Sequence, residues 1–181
     1  MTTIRRHCDE RIPKIRHPRK VPAAPVRARS TAIEERNRPS LAAVEEHKMI
    51  LYEVMCIAMA IYHEARGEPL AGRFAVAEVV MNRMADPRYP DDACSVVYDG
   101  GEGRHQCEFS FFCDGKSDQP DLSSVAWYSA QKVAQAVYEH RVDPIVGAAT
   151  HYHTIYTRPD WASGGYVVAT VNDHVFYRGV K

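Results

Sequence analysis

The segment from Ile61 to Pro69, which reads IYHEARGEP, constrains the fold more than any other part of the chain. It lies between two long apolar stretches of helical character, and Gly67 and Pro69 interrupt the helical pattern there. Two apolar helices joined by so short a turn predict a packed helical platform. Because Glu64 and Glu68 both lie at this joint, the platform carries two carboxylates at one place.

The first of these helices is predicted to begin at Leu41, with Ser40 as its N-cap. Arg66 is expected in its last turn, and Gly67 in the left-handed conformation that commonly follows a helix. Apolar residues recur along one face at helical spacing, namely Val44, Leu51, Val54, Met55, Ala58 and Ile61. This helix therefore brings Glu64 to its C-terminal end.

Two further helices are predicted by the same periodicity. The second begins at Pro69, since proline is favoured in a first turn. Its apolar residues are Phe74, Val76, Ala77, Val80, Met81 and Met84, and its polar interruptions are Glu78, Asn82 and Arg83. Residues 86–103 are rich in Pro, Gly and Asp and are expected to form an irregular surface segment. The third helix extends from a cap at Ser123 or Ser124 to about Arg141, with apolar residues Trp127, Ala130, Val133, Ala134 and Val137.

The C-terminal part of the chain changes from helical to strand character. Three short segments, 150–154, 166–171 and 174–178, are rich in β-branched and aromatic residues. Asn172 and Asp173 separate the last two segments, which predicts a hairpin. Helices followed by a small antiparallel sheet indicate an α+β fold.

The net charge of zero conceals two parts of opposite sign. Residues 1–40 contain 11 of the 23 Lys+Arg and 4 of the 23 Asp+Glu, a net +7, so residues 41–181 hold 12 basic and 19 acidic residues, a net −7. The first part is rich in Pro and Arg and poor in large apolar residues, which predicts an arm that is disordered or ordered by a partner. It has no recognisable nucleic-acid-binding motif. We expect residues 41–181 to form the single folded domain.

Cysteine positions and apolar segments bear on whether the protein works in a reducing compartment, carries an export signal or spans a membrane. Cys56 lies in the first helix and is expected to be a small buried apolar residue. Cys94, Cys107 and Cys113 lie in loop-rich sequence, where one disulfide can form if the protein works outside a reducing compartment. No secretory signal is recognisable, because no apolar segment follows the basic N-terminus. The apolar run 49–62 is shorter than the roughly 20 residues of a membrane span, so a core helix is predicted.

Glu64 is the first candidate for a catalytic acid. A helix C-terminus disfavours a nearby carboxylate, and apolar neighbours add a desolvation cost, so both effects raise the pKa of Glu64. A general acid working near neutral pH needs such a raised pKa. Pairing with Lys48 or Arg66 would cancel the shift. On spacing alone, the simpler interpretation is that Glu64 and Glu68 form an ordinary polar edge.

Histidines offer a second kind of chemistry, in which zinc activates water and Glu64 is the base. The candidate ligands are His63, His105, His151, His153 and His174. The zincin motif H-E-x-x-H is incomplete, since Gly67 occupies the place of the second histidine. His151 and His153 alternate in a predicted strand and therefore share one face. Hydrogen bonding to a substrate, or a core position with its hydrogen bonds satisfied, explains that pair at least as well as a metal does.

Five runs of sequence occur in the order and with the gaps of a known family. They are YHEARGEPLAGRFAVAEVVMNRM at 62–84, CEFSFFCDG at 107–115, GAATHYHT at 147–154, RPDWA at 158–162 and HVFYR at 174–178. Together they resemble the spore-cortex-lytic (SleB-type) cell wall hydrolase family over roughly residues 50–178. The basic arm lies outside this resemblance.

The resemblance implies a lytic-transglycosylase-like single domain. Such an enzyme cleaves the glycan strand of peptidoglycan between N-acetylmuramic acid and N-acetylglucosamine and leaves a 1,6-anhydromuramic end. The first glutamate of E-A-R-G-E, which is Glu64, is implied as the catalytic residue, and neither a cofactor nor a metal is implied. Candidates for lining the glycan groove are Glu68, Asn82, Ser110, Asp114, Tyr152, His153 and Trp161.

Two alternatives stay open beside this interpretation: a metal-dependent wall amidase or peptidase, and a non-catalytic virion or wall-binding component. All three place the protein on peptidoglycan, at the cell wall or in the periplasm. A wall hydrolase without a recognisable export signal is expected to be virion-associated or released on lysis. The basic arm would then anchor it to a phage structural assembly.

Overall fold

The computed structural model describes residues 39–100 and 107–180. Its helices and strands are α1 (Leu41–Ala65), α2 (Leu70–Met84), α3 (Ala93–Val97), α4 (Val125–Tyr138), β1 (His151–Thr154), β2 (Tyr166–Val171) and β3 (His174–Arg178). Two short 3-10 helices span Ser110–Cys113 and Asp160–Gly164. Within these residues, no helix combines the length and apolar character needed to cross a bilayer. Most of the predicted arm, residues 1–38, lies outside the described residues, so its nature stays a prediction.

α1 is the central helix and packs against α2, α3 and α4. Ser40 caps it as predicted, since the Ala43 N–H donates to the Ser40 hydroxyl at 3.1 Å. The predicted apolar face is only partly right, because Leu51 and Met55 on that face are 50% and 39% exposed. α1 is apolar around much of its circumference, so periodicity does not fix which side is buried. The buried residues are Glu53, Val54, Cys56, Ile57, Ala58, Ala60, Ile61 and Ala65.

The joint between α1 and α2 is closed by an arginine side chain. Arg66 ends α1 in the right-handed conformation, at φ −60°. The predicted left-handed Gly67 is wrong, since Gly67 is not among the residues with positive φ. Instead, the Glu68 N–H donates to the Ala65 carbonyl at 3.0 Å. The Arg73 guanidinium donates to the carbonyls of Arg66 and Glu68 at 2.9 and 3.0 Å, and so satisfies backbone groups that a left-handed glycine motif would otherwise satisfy.

α4 agrees closely with the sequence. The Trp127 N–H donates to the Ser124 hydroxyl at 3.1 Å, so Ser124 is the N-cap. The helix ends at Tyr138 rather than near Arg141. All of its predicted apolar residues are buried, namely Trp127, Ala130, Val133, Ala134 and Val137.

The segment 86–103 is not wholly irregular, because it contains α3. Asp92 caps this helix by accepting a hydrogen bond from the Ser95 N–H at 2.8 Å. A helix of 5 residues is too short to show a helical period in the sequence, which is why it was not predicted. Its buried residues are Ala93, Cys94, Val96 and Val97.

The three strands form an antiparallel sheet in the order β1-β3-β2. β2 and β3 make the predicted hairpin, with Asn172 in the left-handed conformation at φ 51°. On the central strand β3, Phe176 is fully buried and packs with Ala75 and Val79 of α2. The sheet therefore lies against the second helix of the platform, and the predicted α+β architecture is confirmed.

Two disulfides connect parts of the domain. Cys56 is bonded to Cys94, which joins α1 to α3, and Cys107 is bonded to Cys113, which closes a short loop. The expectation for Cys56 is therefore wrong in one respect: the residue is buried, but it is also cross-linked. The fold brings α3 against α1, and this contact is not visible in the sequence.

Candidate active site

Glu64 occupies the last turn of α1, one residue before the helix ends. Its side chain is half-buried, and its Oε1 atom accepts a hydrogen bond from the Ser110 hydroxyl at 3.2 Å. The backbone N–H groups of Ser110 and Phe111 also donate to this carboxyl. These donors lie in the loop that the Cys107–Cys113 disulfide closes. The acid and its donors thus come from two different elements.

The surroundings of Glu64 favour its protonated form. Burial raises the pKa of Glu64 above its ordinary value, and the nearby charge of Asp114 raises it further. The hydrogen bonds from Ser110 and Phe111 oppose this rise by stabilising the carboxylate. Because burial is the largest effect, the carboxyl keeps its proton to a higher pH than a free glutamate does.

Neither of the cations that the sequence placed near Glu64 neutralises it. Lys48 pairs with Glu45 at 2.8 Å. The Arg66 guanidinium lies over the ring of Tyr62, 5.3 Å from its centroid. In residues 39–100 and 107–180, no ion pair is made to Glu64.

Two clefts meet at the candidate acid. The first cleft has a volume of about 430 Å³ and is lined by Glu64, Arg83, Cys107, Glu108, Ser110, His151, Tyr152 and Trp161. The second cleft has a volume of about 300 Å³, and its lining includes Tyr62, His63, Glu64, Arg66, Ser110, Phe111, Asp114 and Lys116. Glu64 and Ser110 line both clefts. A chain-like ligand that crossed both would place an internal bond beside this carboxyl.

Four of the predicted groove residues line these clefts: Ser110, Asp114, Tyr152 and Trp161. Burial raises the pKa of Tyr152 well above its ordinary value, so its hydroxyl is neutral. Asp114 pairs with Lys116 at 3.1 Å, and hydrogen bonds from Lys116 lower the pKa of Asp114. Among these predicted residues and Glu64, the clefts therefore contain a carboxyl of raised pKa, a neutral phenol and a carboxylate that is held ionised.

Asn82 lies elsewhere. Its amide donates to the carbonyls of Gly147 and Ala149 at 2.7 and 2.8 Å, which fixes the chain just before β1. It lines a cleft of about 570 Å³, larger than either cleft at Glu64, that does not include Glu64. Volume alone would select that larger cleft as the active site. A carboxyl with a perturbed pKa, here Glu64, is the better indicator of a catalytic site.

Glu68 and His153 also lie outside the two clefts, in contacts that tie the sheet to the rest of the domain. The Glu68 Oε1 atom is 3.8 Å from Nδ1 of the buried His174 on β3. The His153 Nε2 atom is 2.9 Å from the hydroxyl of Tyr177. These contacts connect the α1–α2 joint to β3, and β1 to β3.

Arg83 lines the first cleft, although the sequence suggested only a polar interruption of α2. The residue is 3% exposed, donates to the Thr150 carbonyl at 2.7 Å and pairs with Glu108 at 3.0 Å. Its guanidinium also lies over the rings of Tyr89 and Phe109. A cation inside an apolar helical run was the one signal in the sequence that could have identified it.

The family assignment rests on a comparison with known families. Residues 67–177, more than half of the chain, match the family model described as Cell Wall Hydrolase. The chain belongs to the cell wall hydrolase family. The match begins at Gly67, so Glu64 lies just before the matched range and its assignment depends on geometry.

Solved structures of this kind of cell wall hydrolase share the fold. The catalytic domain of the germination-specific lytic transglycosylase SleB from Bacillus anthracis aligns with a TM-score of 0.56 and 26% identity, covering 70% of this chain and 93% of that one. The catalytic domain of the Bacillus cereus SleB protein aligns with a TM-score of 0.53 and 24% identity, covering 70% and 89%. The predicted lytic-transglycosylase-like fold is confirmed.

Curated relatives of this cell wall hydrolase are longer proteins. The spore cortex-lytic enzyme of Halalkalibacterium halodurans is 30% identical over 130 residues, which are 68% of this chain and 34% of that enzyme. The spore cortex-lytic enzyme of Bacillus subtilis is 38% identical over 47 residues, 26% of this chain and 15% of that enzyme. This chain therefore spans about a third of the length of the first relative.

In the part of the chain that the structure describes, the histidines of this cell wall hydrolase do not form a group of three potential metal ligands. The one group of three potential ligands found there is Glu53, Asp92 and Cys94, and its cysteine is bonded in a disulfide. The His63 Nε2 atom lies 3.1 Å from the Asp118 carbonyl, and its ring stacks on Phe111. His105 lies outside the described residues. His151, considered in the sequence as a metal ligand or a substrate contact, lines the first cleft.

In this cell wall hydrolase, Ser110→Ala is expected to move the alkaline limb of the activity profile to higher pH. The hydroxyl lowers the pKa of Glu64, so its loss leaves that pKa higher still. Activity that requires the protonated acid is lost as pH rises through this pKa. The measurement is the rate at which a peptidoglycan suspension clears, followed across a pH series.

Ser163→Ala is the matched control for that profile. The Ser163 hydroxyl is exposed and donates to the Asp160 carbonyl, away from both clefts. Its removal should leave the profile where it is. If the alkaline limb of Ser110→Ala is unchanged or moves to lower pH, the hydrogen bond from Ser110 does not lower the pKa of Glu64 as described.

Proposed function

We propose that this chain is a lytic transglycosylase that cleaves peptidoglycan between N-acetylmuramic acid and N-acetylglucosamine, with Glu64 as general acid and then general base. The observation that carries the proposal is the position of Glu64: a half-buried carboxyl of raised pKa where two clefts meet. The solved relative described as a lytic transglycosylase supports it.

The proposed reaction needs one carboxyl. Glu64 gives its proton to the glycosidic oxygen as the bond from the muramoyl C1 breaks, and N-acetylglucosamine leaves with that proton. The resulting carboxylate takes the proton from the muramoyl 6-hydroxyl, whose oxygen then bonds to C1. The product is a 1,6-anhydromuramic end, and Glu64 is again protonated. No water is consumed.

Two of the three other carboxylates at the clefts are engaged in ion pairs, which favours this one-acid reaction over hydrolysis. Retaining and inverting hydrolases generally use a second carboxylate at a set distance from the acid. Glu108, Asp114 and Asp118 line the clefts. Glu108 pairs with Arg83 and Asp114 pairs with Lys116, whereas Asp118 makes no ion pair within residues 39–100 and 107–180. Glu108 and Asp114 therefore each have a partner that competes with a role as nucleophile or base, which leaves Asp118 as the carboxylate to test for a hydrolytic reaction.

We assign the groove to the predicted residues that line the clefts. Ser110 tunes the acid, Tyr152 and Trp161 offer a neutral hydroxyl and an aromatic face in the first cleft, and Asp114 lines the second. Aromatic faces suit the apolar faces of sugar rings. The three remaining predicted residues, Glu68, Asn82 and His153, would support the groove through the contacts described above.

The test is mass spectrometry of the fragments that the purified protein releases from peptidoglycan. Anhydromuramic ends are expected from the unaltered chain. Reducing muramic ends would replace the transglycosylase with a hydrolase and make Asp118 the next residue to test. Freed peptides on an intact glycan would support the amidase or peptidase alternative. Binding without any release would support the non-catalytic alternative.

Peptidoglycan is then the partner, and the cell wall or periplasm the place of action. The two disulfides suit a compartment that is not reducing. We further propose that the basic arm, residues 1–40, attaches the domain to a larger assembly such as a phage virion. Deleting the arm should leave the fragments unchanged while removing the protein from that assembly.

A further inference from the structure

His151 lines the first cleft and has one ring nitrogen that makes no hydrogen bond within the described residues. Its Nδ1 atom lies 3.1 Å from the hydroxyl of Thr150. The Nε2 atom has no hydrogen-bond partner among residues 39–100 and 107–180, and it is not one of the fully buried atoms that lack partners there. Because His151 lines the cleft with Glu64, this nitrogen is available to a ligand that enters the cleft.

The imidazole is held in place from several sides. Thr150, the preceding residue, is buried, and its N–H donates to the Tyr177 carbonyl at 2.9 Å. The Thr150 carbonyl accepts from Arg83 at 2.7 Å. The ring centroid of His151 lies 5.3 Å from that of Trp161, which lines the same cleft. A fixed ring beside an indole is a preorganised recognition surface.

The ring is also neutral under ordinary conditions. Burial lowers the pKa of His151 to about 4, and the charges of Arg83 and Arg88 lower it in the same direction. A neutral imidazole donates or accepts a hydrogen bond without attracting carboxylates. The site is therefore suited to an uncharged polar group rather than to the acidic groups of a peptide stem.

We propose that His151 and Trp161 form a subsite for the 2-acetamido group of an N-acetylhexosamine. The imidazole Nε2 bonds the amide, and the indole covers the methyl group or the sugar face. This inference rests on the proposed function, since it names the substituent by which the first cleft recognises its glycan. His151 is a specificity residue in this arrangement, and proton transfer stays with Glu64.

The test compares two neutral tetrasaccharides, chitotetraose and cellotetraose, which differ in carrying an acetamido group or a hydroxyl at C2. Calorimetry would be performed with Glu64→Gln protein, so that neither sugar is cleaved. We expect about tenfold tighter binding of chitotetraose. Adding His151→Leu should reduce that ratio to near one, and His151→Asn, which keeps a neutral hydrogen-bonding group, should retain part of it.

His47→Leu is the matched control, because His47 is an exposed histidine of α1 outside both clefts. It should leave the ratio unchanged. An unchanged ratio in His151→Leu protein that unfolds at the normal temperature overturns the subsite, as does equal or undetectable binding of the two sugars by the parent. If the leucine variant does not fold, the ratio in His151→Asn decides: a value equal to the parent's overturns the proposal.

The two proposals fail in different ways. Suppose that His151→Leu loses the preference for chitotetraose over cellotetraose, but the unaltered protein releases no anhydromuramic ends. This result would retain the subsite and remove the transglycosylase. Anhydromuramic ends, together with a binding ratio that is unchanged in His151→Leu, would retain the transglycosylase and remove the subsite. Fragment analysis and calorimetry therefore test the reaction and the recognition separately.

Discussion

Glu64→Gln is expected to reduce fragment release from peptidoglycan by about 10³-fold or more while the domain stays folded. Glutamine has nearly the shape of glutamate and can still accept the hydrogen bond from Ser110, but it has no proton to give to a glycosidic oxygen. General acid catalysis is worth about 10² to 10⁴ in rate, and here the same group must also act as the base. The measurement is fragment yield against time at the optimal pH.

The same substitution is expected to stabilise the domain at neutral pH. Burial raises the pKa of Glu64 in the folded state, so ionisation opposes folding. The contribution of the protonated group is fully present below the unfolded pKa and is lost as pH rises through the higher folded pKa. Glutamine does not ionise, so the difference in unfolding free energy between variant and parent should grow across that pH range. Urea unfolding at acid and at neutral pH measures it.

Glu45→Gln is the matched control on the same helix. Glu45 is exposed and pairs with Lys48 at the surface, where an ion pair contributes less than about 1 kcal/mol. Its loss should leave fragment release unchanged. Full activity in Glu64→Gln would refute the catalytic assignment, and a variant less stable than the parent at neutral pH would refute the account of its buried carboxyl.

Removing the Cys56–Cys94 disulfide is expected to lower the unfolding free energy by about 4 kcal/mol. The bond joins residues separated by 38 positions, so it strongly restricts the unfolded chain. It also connects α1 to α3, a helix too short to be stable alone. The measurement is urea unfolding of the double variant Cys56→Ala, Cys94→Ala under non-reducing conditions.

The second disulfide provides the comparison. Cys107 and Cys113 are separated by only 6 positions, so their removal by Cys107→Ala, Cys113→Ala should cost less, about 2 kcal/mol. A larger loss of unfolding free energy for the Cys107–Cys113 pair than for the Cys56–Cys94 pair would contradict the explanation that each disulfide stabilises by restricting the unfolded chain. A loss below about 1 kcal/mol for the Cys56–Cys94 pair would contradict it as well. Reduction of the parent protein should lower its stability at least as far as the more damaging double variant does.

The sequence predicted those helices and strands that are determined by residues close together in the chain. α4 has a serine cap and a regular apolar spacing, and both occur where the sequence indicated. The hairpin of β2 and β3 follows from its Asn172-Asp173 turn and from β-branched flanks. The raised pKa of Glu64 was predictable because the joint and its apolar neighbours are contiguous in sequence. These features depend on residues only a few positions apart.

The features that were missed depend on contacts between distant residues. Cys56 is cross-linked because α3 packs on α1, and no spacing rule predicts that pairing. Arg83 is buried because the carbonyl of Thr150, 67 positions away, and the carboxylate of Glu108 meet its guanidinium. Asn82 was expected in the groove, yet backbone carbonyls far along the chain occupy its amide. Local sequence patterns do not predict contacts between residues so far apart.

The acid and the donor that adjusts its strength belong to different elements of the molecule. Glu64 is anchored by a helix at the centre of the core, whereas Ser110 is an exposed residue of a short cross-linked loop whose neighbouring residues, Phe109 and Phe111, are buried in that core. Substitutions at Ser110 can therefore shift the working pH without altering the helix that holds the carboxyl. A single exposed position, rather than the buried helix, is therefore the place to adjust the acid strength of Glu64 by design.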